Sequence, residues 1–214
     1  HAQLTNKRKL IVSLTADFGP SGKISLSANS TINDDDAIDT LQMNINADDF
    51  DVALFTALWP AAAAPETGQW FRHYMPSGRI RDAELSFQTS YDADISRHEL
   101  QNINGKWRLH DTTLGWSDHA PPFTNLDADL SLDNAKFVAN ITNANLGGMS
   151  VQHGNFTISP IVGDATPQAA LSISIKGGVD KAIDHAKTSG LKTLGTFDVT
   201  DVIASGEVEM ILQA

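Results

Sequence analysis

Along most of this chain apolar and polar residues take turns. Ile24, Leu26 and Ala28 alternate with Lys23, Ser25 and Ser27, and Leu41, Met43, Ile45 and Ala47 alternate with Gln42, Asn44 and Asn46. Successive side chains of a strand point to opposite faces, so each run predicts a strand with one buried and one wet face. The pattern returns at Ala83, Leu85 and Phe87, and at Leu126, Ala128, Leu130 and Leu132. It continues at Phe137, Ala139 and Ile141, then at Phe156 and Ile158, at Leu171, Ile173 and Ile175, and at Val208, Met210 and Leu212. The segments between these runs are short and rich in Asn, Asp and Gly, as in Asp133-Asn134, which predicts antiparallel neighbours in a meander. The fold class expected is therefore mainly β, with an antiparallel sheet.

One stretch breaks the alternation. Asp51 to Leu58 carries Val52, Leu54, Phe55 and Leu58 at helical spacing, and Trp59-Pro60 stops it. A second short helix is predicted from Pro65, with Glu66 in its first turn and Trp70, Phe71 and Tyr74 as its apolar side, ended by Pro76-Ser77-Gly78. A third is predicted over Val179 to Lys187, with Gly190 as its stop. No linker or composition shift divides the chain, so residues 1–214 read as one domain with a helical insert near 51–75. That insert must bury its apolar side, and is expected to cap one end of the sheet.

Charge and composition narrow the partners. The chain has 15 Lys+Arg against 26 Asp+Glu, a formal net charge of −11, which opposes a nonspecific grip on nucleic acid or on anionic headgroups. Any lipid contact is then expected through an apolar groove. Cysteine is absent, which removes disulfides and Cys-based zinc sites. No apolar run reaches the roughly 18 to 20 residues of a membrane helix, and His1-Ala2-Gln3-Leu4-Thr5 has no charged or apolar leader segment. The sequence reads as an excised piece of a longer protein.

Signals for enzymatic chemistry are weak. Gly19-Pro20-Ser21-Gly22-Lys23 lacks the phosphate-loop spacing and is followed by Ile24, so it reads as a hairpin turn. Asp34, Asp35, Asp36 and Asp39 do not have calcium-loop spacing and read as a solvated turn. His73, His98, His110, His119, His153 and His185 show no metal-ligand spacing, and Gly147-Gly148-Met149-Ser150-Val151 is no nucleophile elbow. Asp127 with Asp129, and Asp92 with Asp94, lie two apart on predicted strands and share the wet face. Trp59 and Trp70 are expected in the packing of the helical insert rather than in a sugar platform. No catalytic residue, metal or cofactor is expected.

A further set of signals is similar to a known family. Leu58-Trp59-Pro60, Pro65-Glu66-Thr67-Gly68-Gln69-Trp70-Phe71 and Ser77-Gly78-Arg79-Ile80 come first, followed by Leu114-Gly115-Trp116 and Pro121-Pro122-Phe123-Thr124-Asn125-Leu126-Asp127-Ala128, then Leu146-Gly147-Gly148-Met149. In this order they resemble the AsmA-like superfamily, in the central region of its YhdP and TamB branch. The resemblance spans most of the chain on short, degenerate motifs. It implies an extended, twisted and curved antiparallel sheet with an open groove, and a non-enzymatic periplasmic segment of a protein anchored in the inner membrane. It also implies phospholipid movement toward the outer membrane, with inner and outer membranes as partners of the longer protein.

On that reading acyl chains lie along the apolar side, and Leu130, Leu132, Phe137, Ala139, Ile141, Leu171, Ile173, Ile175, Met210 and Leu212 are the candidate lipid contacts. Each methylene removed from water is worth about 0.8 kcal/mol, and no nucleophile is needed. Two rivals stand beside it. One is a closed β-sandwich binding or adhesion module with a packed core, which needs the same alternation. The other is a glycan-active enzyme using the exposed carboxylates and tryptophans.

Overall fold

The computed structural model describes residues 8–32, 38–58, 69, 72–92, 97–115, 118, 121–133, 136–160, 168–181, 183 and 207–213. The strands are β1 Arg8–Asp17, β2 Lys23–Ile32, β3 Ile38–Asp51, β4 Ser77–Asp92 and β5 Arg97–Leu114. They continue as β6 Phe123–Leu132, β7 Phe137–Leu146, β8 Met149–Ser159, β9 Gln168–Gly178 and β10 Glu207–Gln213. All ten form one sheet in the order of the sequence, and every neighbouring pair is antiparallel. The sheet is not closed into a barrel: β1 and β10 are its two edges.

The predicted meander is thus the fold, with turns that follow from local chemistry. Gly147 and Gly148, at φ 58° and 82°, make a two-residue hairpin between Leu146 and Met149. Gly19–Ser21 is a short 3-10 turn joining β1 to β2, as expected of a plain hairpin. Asp133 and Lys136 exchange backbone hydrogen bonds at the β6–β7 turn.

Directly opposed residues share a face, so the register sorts the side chains. Phe50, Ile80, Leu109, Ala128, Ile141, Gly154 and Ile173 form one transverse row on what we call the inner face. Their side chains belong to a single buried cluster, with Gly154 filled by Ile173 and Ile141. On one side or the other of this row the inner set changes parity once in each of β3 to β8. β3 goes from Ala47 to Phe50, β4 from Ile80 to Ala83, β5 from Leu109 to Thr112, β6 from Phe123 to Leu126, and β7 from Ile141 to Ala144. β8 makes the same step from Val151 to Gly154, at a register shift.

Three of these steps use a left-handed residue, Asp82 at φ 48°, Asp111 at φ 47° and Asn125 at φ 50°, each within a register shift. Asp and Asn are the non-glycine side chains that adopt this region most readily. Each bulge adds one residue to its strand, so a change of parity in sequence leaves the apolar face unchanged in space.

The end of the sheet beyond that row is covered. The helix α1, Val52–Leu58, starts where Asp51 Oδ1 accepts the N–H of Ala53 at 2.7 Å. Val52 joins the core, with Leu54 and Phe55 packed on it, and Met75 joins from the other end of the insert. Residues 69 and 72–74 are helical, as are 179–181 and 183. Thus parts of all three predicted helices are present, while Trp59, Pro65, Trp70, Phe71, Lys187 and Gly190 lie outside the described residues. Gly115 N–H donates to Tyr74 O at 2.6 Å, and Asp118 Oδ1 meets His73 Nε2 at 2.9 Å and accepts Tyr74 O–H at 3.0 Å. These contacts tie the insert to the β5–β6 connection.

Gly78 shows how tightly that end is packed. Its φ is 129°, and a Cβ there would overlap the Thr112 side chain, which is fully buried. Gly78→Ala is expected to destabilise the protein by about 2–4 kcal/mol from strain and overlap together. Denaturant unfolding checks this, with Gly19→Ala as the comparison, since Gly19 has a positive φ but open space around it.

Candidate functional site

The inner face has two parts that differ in access. At the covered end Leu126, Leu146, Met149, Val151 and Ile175 are at most 1 % exposed. Past the Phe50–Ile173 row, toward the opposite strand ends, most inner residues are only half-buried, Ala47 and Ser30 being the buried exceptions among the described residues. One row runs Ala83, Trp107, Leu130, Ala139, Phe156 and Leu171, and the next runs Ile45, Leu85, Leu132, Phe137 and Ile158. Met43, Phe87 and Ile103 extend it further.

Side chains converge over this open part. Trp107 of β5 and Phe137 of β7 approach with ring centroids 6.1 Å apart, across the intervening β6, and Phe137 meets Phe156 edge-on at 6.2 Å. Gly105 makes room for this cluster: a Cβ there would stand 3.0 Å from Leu85 Cδ1 and 3.2 Å from Trp107 Cζ3. The result is an apolar surface about 20 Å long along the strands, taking some six residues at ~3.3 Å each.

The candidate contacts divide accordingly. Leu130, Leu132, Phe137, Ala139 and Leu171 lie in the half-buried rows. Ile141, Ile173 and Ile175 share the face but are buried in the core. The register sets Met210 opposite Ile175 and Leu212 opposite Ile173. Sequence reasoning did not name Ile103, Trp107, Leu85, Phe87, Phe156 and Ile158 as contacts, although alternation had already set Leu85, Phe87, Phe156 and Ile158 on an apolar side. Trp107 and Ile103 belong to β5, which the pattern did not reveal.

The outer face carries a polar seam at the level of the buried row. Asp49 Oδ1 accepts from Arg79 Nε at 2.5 Å and lies 3.6 Å from Arg81 Nε, and Asp82 pairs with Arg108. His110 Nδ1 lies 2.8 Å from Asp127 Oδ1, which also accepts the Asp111 N–H at 3.1 Å. Asn125 donates to Asp111 at 2.9 Å and accepts from Asn145 at 3.1 Å, while Asn143 donates to the Asn125 carbonyl at 3.2 Å. The seam therefore fastens β3 through β7 at the points where their strands bulge.

Its electrostatics are those of a fastening. The hydrogen bond from Arg79, with the charges of Arg79 and Arg81, holds Asp49 below its usual value against the effect of burial. Burial pushes Asp127 up but is outweighed by hydrogen bonds from Asp111, His110 and Asn143, so it too ends below its usual value. A glycosidase's general acid needs a raised pKa, and neither Asp49 nor Asp127 has one. Asp129 is an exposed neighbour on the same face. Among the described residues no group of three or more His, Asp or Glu could hold a metal ion, and no helix is long and apolar enough to cross a membrane.

No protein-family model matches the chain, and no curated protein or solved structure shows significant similarity to it.

The seam gives a pH prediction. Because Asp49 and Asp127 are depressed in the folded state, their contribution is complete above the ordinary carboxylate range and is lost as pH falls through their folded values. Asp127→Asn is expected to cost about 1 kcal/mol at neutral pH through weakened hydrogen bonds. It should also make stability less sensitive to acid below pH ~4. Urea midpoints of both proteins across pH check this, and equal acid sensitivity would count against it.

Proposed function

We propose that the protein is a non-enzymatic acyl-chain-binding segment of the AsmA-like kind, working in the periplasm as part of an inner-membrane-anchored protein that supplies phospholipid to the outer membrane. The observation that carries this reading is the half-buried apolar face from Leu130 and Leu132 across Phe137, Ala139 and Phe156 to Leu171, on a sheet that does not close. A closed sandwich would lay a second sheet over those rows. Here the described strands form one sheet, and the fully buried residues collect at one end of it.

Acyl chains laid along the open rows leave water, and their headgroups stay at the rim, where the inner face ends. Among the described residues the wall's own side chains from Leu130 to Leu171 are apolar, so a chain can shift between near-equivalent positions. The covered end sets a floor. Ile141, Ile173 and Ile175 are packed beneath it and take part as the support of the open wall.

Native mass spectrometry of the purified chain is expected to show co-purifying phospholipid. Photo-crosslinking side chains at Leu132 or Ala139 should capture lipid in cells, and those at Asp129 or Asn140, on the outer face, should not. Leu132→Asp should lower lipid capture while leaving the fold intact, because that position is half-exposed and a carboxylate there opposes an acyl chain by several kcal/mol. Adducts equal on both faces, or on neither, would contradict the proposal.

A further inference from the structure

One buried hydroxyl in this fold is left over. Thr56 Oγ1 donates to the Ala53 carbonyl at 2.9 Å, and Thr112 Oγ1 to the His110 carbonyl at 3.3 Å. Ser30 is 6 % exposed, and among the described residues its Oγ has no hydrogen-bond partner. Burying a hydroxyl without a partner costs free energy that a partner from outside the fold can return.

Its place on the sheet says what that partner is. Ser30 opposes Leu10 and Leu41, and Leu41 opposes Thr89, so these residues form a row across the inner face. Between that row and the Phe50–Ile80 level, β3 and β4 present three further pairs to the same face: Met43 with Phe87, Ile45 with Leu85, and Ala47 with Ala83. All of these are apolar. Leu41 to Ala47 is about 20 Å of strand at ~3.3 Å per residue, and the row with Ser30 and Thr89 stands at the end away from the covered floor. On β6 to β8 the open wall ends at Leu132, Phe137 and Ile158, without an inward hydroxyl.

We propose that Ser30 Oγ donates a hydrogen bond to the ester carbonyl oxygen of an acyl chain lying along this track, with the methyl end toward Phe50 and the headgroup beyond Ser30. The inference rests on the acyl-binding reading above, and adds to it a direction and a linkage: the ligand is an ester-linked lipid. A single neutral hydroxyl in apolar surroundings matches a neutral carbonyl, which needs one donor. A phosphate at that point would call for several donors or a cation. Leu10 and Leu41, which flank Ser30, branch only at Cγ, and neither is buried. A change of rotamer at either can uncover the hydroxyl as the ligand arrives.

Two lipids isolate the carbonyl: lysophosphatidylcholine and its ether-linked analogue, alike except that the analogue lacks that oxygen. Calorimetric titration of the chain with each, below its micelle concentration, should show the ester lipid binding about three- to tenfold more tightly, the worth of one neutral hydrogen bond. Ser30→Ala should remove that preference by weakening the ester lipid alone. Without lipid it should unfold at a denaturant midpoint no lower than that of the unmodified chain, since the deleted hydroxyl has no partner in the fold. The anchor is overturned, with the acyl-binding reading left in place, by an unmodified chain that binds both lipids alike. The same follows from a Ser30→Ala chain that keeps the preference, loses affinity for both lipids, or unfolds earlier. A chain that binds neither lipid overturns the anchor and the acyl-binding reading together.

Discussion

A single-layer sheet has to hide one face without a second sheet to hide it against, and the rest of this structure answers to that constraint. The solution sits at one level. Phe50, Ile80, Leu109, Ala128, Ile141 and Ile173 form a buried row inside, while Asp49, Arg79, Arg81, Asp127, Asn125 and Asn143 fasten the strands outside. The bulges at Asp82, Asp111 and Asn125 let both happen together, since each adds a residue and re-aims the side chains. One side of that level is a packed, covered end, and the other is an open apolar wall.

This division gives the proposed function its form. A uniformly dry core would leave no place for a ligand, and a uniformly open face would lack the support to hold its shape. Here Leu126, Leu146, Met149 and Ile175 provide the packing, and Leu130, Leu132, Phe137 and Phe156 provide the accessible surface. The Trp107–Phe137–Phe156 cluster spans neighbouring strands at the boundary and stiffens the wall where the cover ends.

Much of the fold was legible in the sequence because period-2 alternation is a direct imprint of one-sided burial. The faces of β2, β3, β6, β7, β8 and β9 follow from it, as does the wet position of Asp127 and Asp129. Two strands were not read. In β1, Ile11 lies between Leu10 and Val12, so the apolar residues run together rather than alternate. In β5 the inner positions include Gly105 and Thr112, which are not apolar side chains, and Asp111 shifts the phase between them. The parity steps were hidden for the same reason: Phe123 and Leu126 are three apart yet share a face. The open and covered parts of the groove were also beyond sequence reasoning, since Leu132 and Ile141 carry the same alternation signal and differ only in what lies over them.

The most direct measurement is a methyl-resolved NMR titration of the chain with a monomeric single-chain phospholipid. The account predicts shifts concentrated on the methyl groups of Leu85, Leu130, Leu132 and Leu171, with those of Leu126, Leu146, Val151 and Ile175 nearly unmoved. Shifts spread evenly over both sets, or confined to the exposed outer residues, would contradict an acyl-binding wall that ends at a closed floor.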